Sequence, residues 1–194
     1  MNSCPQTPAA TAALSVATRF HSPAMLNHGV RAYLWGVTYA ETHGIAFDDE
    51  LYYVSALLHD LGLTDPFDSQ RLAFEVAGGD LAWVFGVAAG WSADRAARAE
   101  EIIVLHMRDD VAATDDPESH LLQIATGWDV AGLRPEEFPA EMWPDILARY
   151  PRLGFGDEFV SCFEDQASRK PGSAAAGSIA NDAAARIKAN PLDG

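Results

Sequence analysis

The chain has 194 residues, which suits one domain with extensions, and 48% of them are apolar, so a sizeable core can form. Its 28 acidic against 13 basic side chains give a formal net charge of -15. Such a surface repels phosphate backbones and anionic headgroups, which argues against nucleic acid and membrane as partners but not against a local pocket for a small anion. The two cysteines, Cys4 and Cys162, are far apart and form no CxxC pair, so no disulfide framework is expected. The N-terminus lacks the basic and long apolar regions of a signal peptide, and apolar stretches such as 81–90 are too short to cross a bilayer. The expected setting is the cytoplasm. The expected partner is a small-molecule substrate, and the apolar helices permit a homodimer although no seam can be read.

Residues 1–8 read as a loose leader, with Thr7 or Thr11 capping a first helix over 12–20. Ser22 and Pro23 open a second helix over about 24–42, which His43-Gly44 ends. Met25, His28, Leu34, Val37 and Tyr39 make no single stripe, so this helix is expected to be buried on more than one side. Asp48 or Asp49 caps a third helix over 50–60, with Leu51, Val54, Leu57 and Leu58 at helical spacing and Gly62 as the stop. A segment over 71–77 is expected to break at Gly78-Gly79, and Asp80 then caps another over 81–89. Ser92 caps a long helix through Arg95 to His106. A further helix covers 118–130 and ends at Gly132; 135–143 is loop or short helix; helices follow over 144–150 and 157–168. Residues 171–177 look like a small-residue linker before a last, lightly packed helix over 178–189. No segment alternates in the manner of a strand and no internal repeat appears. The expected fold is all-α, a single compact helical bundle. Residues 1–20 form its leader and first helix, 21–170 its main domain, and 171–194 a linker and helix packing on that domain.

The chemistry gathers around His59-Asp60, which follows Ala56-Leu57-Leu58. An aspartate is seldom buried without a partner, and a bound cation would supply one. Imidazole nitrogen and carboxylate oxygen suit zinc, iron or manganese. Adjacent helical residues point roughly 100° apart, so both reach one ion only near a helix end, which Gly62 makes plausible. A solvated His-Asp pair at a helix end is the plainer alternative. His28, in the preceding helix, reads equally as a core histidine. Asp129, after Thr126-Gly127-Trp128, reads equally as the partner of an arginine.

Together these residues make an ordered H…HD…D pattern on successive helices. That pattern resembles the HD superfamily, and within it the cyanamide hydratase-like branch and its bacterial relatives. The likeness rests on SPAMLNHGVRAYLWG (22–36), DDELYYVSALLHDLGLTD (48–65), RLAFEVAGGDLAWVF (71–85), EEIIVLH (100–106) and IATGWDVAG (124–132), with YPRLGF (150–155) and RKP (169–171) in support. It implies a helical HD domain holding a divalent metal through His28, His59, Asp60 and Asp129. Dinuclear relatives have two further histidines before the last aspartate; residues 61–105 contain none, which implies one ion, zinc first with iron or manganese as alternatives. His106 matches a family histidine facing the metal pocket and is expected, with Asp60, in catalysis, by binding substrate or transferring a proton. Met107 stands where the family often has Thr or Ser, which weakens cyanamide itself as substrate.

Arg31, one turn after His28, either pairs with Asp60 or Asp129 or binds an anionic substrate group. Thr64 and Trp128 are the other expected substrate contacts; Trp35, Phe67 and Trp91 either wall the pocket or are simple core. Lys170 reaches the site only if the tail folds back. The implied activity is that of a metal-dependent hydrolase or hydro-lyase, foremost the hydration of a nitrile-type group by metal-activated water. A phosphohydrolase is the alternative, although only Arg31, Arg71 and Arg108 lie near the motifs as phosphate-binding cations. A non-catalytic metal-binding regulatory module is a third reading. An iron oxygenase would resemble the histidine-richer dinuclear pattern.

Overall fold

A computed structural model describes residues 4–108 and 111–193; the first three residues of the expected leader lie outside the described residues. The described residues are helical throughout, without a strand, and include no helix long and apolar enough to cross a membrane. The first helix, α1 (Pro8–Phe20), starts earlier than its apolar pattern, because Thr7 accepts from the Ala10 N–H and Pro8 occupies a position where a missing N–H costs nothing. Ser22 caps α2 (Pro23–His43) by accepting from the Met25 N–H. Every residue of α2 from His28 to Ala40 is buried, since α3 (Asp49–Leu58) packs on one side and α6 (Pro117–Ala131) on another.

Asp48 caps α3, which stops at Leu58, short of the expected residue 60. His59 keeps helical dihedrals, but Asp60 turns out at φ -98°, ψ 7° into a short 3-10 turn over Leu61–Leu63. That departure brings two adjacent side chains onto one side.

The glycine pair does not break the chain. One helix, α4 (Phe74–Ala88), runs through Gly78 and Gly79, and residues 71–73 lie outside it. The glycines serve close approach: a Cβ on Gly78 would stand 2.8 Å from the His59 carbonyl oxygen, and one on Gly79 would stand 3.1 Å from that of Glu100. Helix α5 (Ala93–Leu105), capped by Ser92, packs along α4. Asp116 caps α6, which Gly132 ends in a left-handed conformation at φ 64°. Short 3-10 turns precede α7 (Trp143–Arg149), and α8 (Phe155–Arg169) follows.

The expected single helix over 178–189 is two: α9 (Ala174–Ala180), capped by Ser173, and α10 (Ala183–Lys188). The break falls at Asn181-Asp182, where Asp182 is left-handed at φ 58° and the Asn181 amide donates back to the Gly177 carbonyl. Both short helices fold back onto α8, and α10 also touches α6.

Two apolar clusters result. The larger joins α1, α2, α3, α5 and α6 around Trp35, Tyr52 and Trp128. The smaller gathers Met25, Phe74, Phe155, Phe159, Phe163, Ala183 and Ile187 under the C-terminal helices. Each buried phenylalanine there contributes about 1.5–3 kcal/mol of transfer free energy. His28 lies at the seam, its ring stacked on Phe155 at 4.5 Å between centroids.

Candidate metal centre

Asp129 sits on α6, fully buried, with both oxygens occupied. Arg31 from α2 grips it in a fork, Nε to Oδ1 at 2.8 Å and a terminal nitrogen to Oδ2 at 2.8 Å. Trp35 Nε1 donates to Oδ1 at 2.8 Å, and His28 Nδ1 lies 2.7 Å from Oδ2. Burial alone would raise this carboxyl's pKa; the Arg31 charge and the bonds from His28 and Arg31 hold it far below the usual carboxylate range instead. Asp129 therefore does not stand with the other three expected ligands. It stands behind His28, as a carboxylate that orients an imidazole.

The other three do meet. His28 Nε2 is 3.2 Å from His59 Nε2 and 3.5 Å from Asp60 Oδ2, and His59 Nε2 is 3.2 Å from the same oxygen. These atoms form the described cluster suited to an ion. The imidazoles are fixed from behind, because His28 Nδ1 faces Asp129 and His59 Nδ1 faces the Ala56 carbonyl at 2.8 Å. When both rings are neutral, donation from Nδ1 leaves each Nε2 as a lone pair turned toward Asp60, the place that a proton on His59 takes in the absence of a cation.

Asp60 is 2% exposed, and neither of its oxygens has a hydrogen-bond partner. Burial pushes its pKa up, but the neighbouring His59 charge outweighs this and holds it well below the carboxylate range. Burial likewise pulls His59 down, and Asp60 overrides that to hold it above its usual value. The pair thus leans on a proton where a cation would serve both partners better. The donor set fits a divalent ion: a tetrahedron with bonds of 2.0–2.1 Å has edges of roughly 3.3–3.4 Å, and the three measured edges run from 3.2 to 3.5 Å.

A cavity of about 230 Å³ opens over this cluster. His106, at the C-terminal end of α5, lines it; its Nδ1 faces the Ile103 carbonyl, and its ring lies 5.0 Å from that of His59. Burial, seconded by His59, pulls His106 down to about 3, so the imidazole is neutral and its Nε2 is an acceptor. Phe159, Phe163 and Ile187 form an apolar wall, and Arg108, Thr126 and Arg186 add polar groups.

The other expected substrate contacts lie elsewhere. Arg31 is fully buried and committed to Asp129 and the Tyr150 and Pro151 carbonyls. Thr64 donates to the Leu61 carbonyl at 2.7 Å and is not in the cavity lining. Trp128 is fully buried between Phe138 and Trp143 and is not among the residues that line the cavity. Trp35, Phe67 and Trp91 pack in or against the larger core. The tail does fold back, but Lys170 binds Asp68 at 3.0 Å and Gln166 at 2.6 Å.

Three contributors escaped the sequence reading. Arg152 donates to the Asp129 carbonyl at 2.7 Å and lies 3.7 Å from its Oδ2; it sits inside the YPRLGF stretch, which carried the available signal. Arg186 and Ile187 come from the tail, where nothing in the sequence marks them as facing the cavity.

No family model matches the chain. Two curated relatives from Saccharomyces cerevisiae, cyanamide hydratase DDI2 and cyanamide hydratase DDI3, are each 31% identical to it over 154 residues, covering 76% of this chain and 67% of the relative. With that identity over most of both chains, the protein belongs to the cyanamide hydratase family.

Proposed function

We propose that this cavity is the active site of an HD-type, divalent-metal-dependent hydratase that adds water to a nitrile-type group, cyanamide being the reference substrate. One observation carries the reading: the Asp60 carboxylate is buried without hydrogen-bond partners between two imidazoles whose Nε2 lone pairs face it. The names of the relatives supply the reaction class. His28, His59 and Asp60 hold the ion, zinc ahead of iron or manganese, and Asp129 keeps the His28 ring in the tautomer that can bind it. When bound, a divalent ion supplies a water activated near neutral pH and a Lewis acid for the nitrile nitrogen.

In hydration, the water oxygen bonds to the nitrile carbon and both water protons end on the nitrogen, the first giving an imidic acid and the second moving from oxygen as that tautomerises. The product is an amide, or urea from cyanamide. His106 faces the cavity as a neutral acceptor and carries a proton between oxygen and nitrogen. The wall of Phe159 and Phe163 keeps bulk water off the reacting carbon.

Of the three cations expected for a phosphohydrolase, Arg31 is spent on Asp129 and Arg71 lines a separate cavity beside Arg169 and Lys170, which leaves Arg108 in the lining.

The test is elemental analysis and cyanamide turnover, wild type beside Asp60→Asn. About one equivalent of metal and urea formation are expected in the wild type, both lost in the variant. A folded wild type that neither takes up zinc, iron or manganese nor hydrates any nitrile would overturn the reading in favour of a regulatory module.

A further inference from the structure

The cavity is larger than cyanamide needs, and its opening carries two arginines. A closed apolar cavity of about 150 Å³ holds benzene; this one is about 230 Å³, whereas cyanamide has only a few non-hydrogen atoms. Its floor is the buried cluster of His28, His59 and Asp60. Its walls are largely carbon, from Phe159, Phe163, Val130 and Ile187. Its exposed rim carries Arg108 and Arg186, from the end of α5 and from α10.

The other lining residues include no acid except Asp60. Six of the 13 bases, Arg31, Arg95, Arg98, Arg152, Arg169 and Lys170, make ion pairs. Among the described residues, neither Arg108 nor Arg186 has a carboxylate within ion-pairing distance. A surface of net charge -15 repels anions at long range, so two exposed arginines at one opening, Arg108 also within electrostatic reach of Glu75, give an anion a specific place to bind.

Resting on the hydratase reading, we infer that the substrate is larger than cyanamide. It has an apolar body filling the space against Phe159, Phe163 and Ile187, and an anionic group, a carboxylate in the simplest case, held at the rim by Arg186 and Arg108. The reacting group lies at the floor, the body along the wall and the charge at the mouth. Arg186 is then a specificity-determining residue supplied by the C-terminal helix.

The metal-loaded protein is tested on cyanamide, on hexanenitrile and on 5-cyanopentanoate, which adds a terminal carboxylate to a chain of similar length. Binding of hexanoate, which carries no nitrile, is measured in parallel by calorimetry. The wild type is expected to prefer 5-cyanopentanoate to hexanenitrile by about tenfold or more in kcat/KM, the size of effect one charge-assisted hydrogen bond gives. Arg186→Gln collapses that ratio toward one and weakens hexanoate binding by a similar factor, whereas Arg186→Lys retains part of both. If cyanamide is hydrated while 5-cyanopentanoate is no better than hexanenitrile, the inference fails and the hydratase reading stands. If no nitrile is hydrated but hexanoate binds and Arg186→Gln abolishes the binding, anion recognition stands and the reaction is wrong. If hexanoate does not bind and no nitrile turns over, both fall.

Discussion

Asp60 and Asp129 are buried to nearly the same degree, 2% and 0% exposed, yet their surroundings are opposite. Asp129 receives a forked arginine, an indole N–H and an imidazole, with a second arginine on its own carbonyl. Asp60 receives no hydrogen bond at all. A buried carboxylate that is fully paired is structural scaffolding, and one left unpaired against two lone pairs is a place for a cation. On the proposed reading, the difference separates the residue that builds the site from the one that uses it.

Removing the arginine is the strongest way to break this comparison. Arg31→Met leaves Asp129 charged and buried, and unfolding in urea should show a loss of about 3–5 kcal/mol. Adding Asp129→Leu to that variant should restore a part of the loss, because the stranded charge is gone. Asp60→Asn should cost less. Without metal it loses only the carboxylate's contacts with His59 and His28, so its stability should fall by less than that of Arg31→Met. With metal at 100 times its dissociation constant the wild type should gain about 2.7 kcal/mol and the variant nothing; an equal gain in both would remove Asp60 from the ligand set.

Gly78→Ala tests whether the floor depends on the backbone behind it. The new methyl meets the His59 carbonyl at 2.8 Å, so a cost of about 1–3 kcal/mol is expected, with weakened metal uptake as His59 shifts. The smallest effect comes from Asp68, a carboxylate of intermediate kind. Burial raises its pKa, but bonds from Gln166 and Lys170 and the charge of Arg169 outweigh this and depress it. A depressed folded-state pKa stabilises above the unfolded carboxylate value and loses that contribution as pH falls through the folded value. Acid titration of stability should therefore show a downward step below about pH 4, about 1 kcal/mol or less, that is missing in Asp68→Asn.

Local chemistry made much of the fold legible in the sequence. Ser22, Asp48 and Ser92 cap the helices they were expected to cap, and Gly132 ends the one it was expected to end. What escaped was set by distant contacts. Gly78-Gly79 reads as a breaker because propensity is local, whereas the pair exists so that α4 can approach His59 and Glu100. At the site, the residue types of the H…HD…D pattern identified which side chains come together, but not their rank. Whether Asp129 faces the cation or backs His28 depends on Arg31, Trp35 and Arg152 converging from other elements. Spacing along the chain carries no trace of that convergence. Met107, singled out as a departure, lines the cavity as an apolar residue in accord with its carbon-rich wall.

The contacts that place His28 in the site, with His59 and Asp129, join residues 31 and 101 positions apart. The cavity above it is completed by α10. Contacts of such long sequence separation form late when a chain folds, since each must first overcome the entropy of closing its loop. The helical hairpin of α4 and α5 packs mainly along itself and can form early, but it contributes only one of the histidines. A folding intermediate of this protein would thus be rich in helix and poor in metal affinity. Metal uptake, followed in real time after dilution from denaturant, would lag behind helix formation and time the last step of folding.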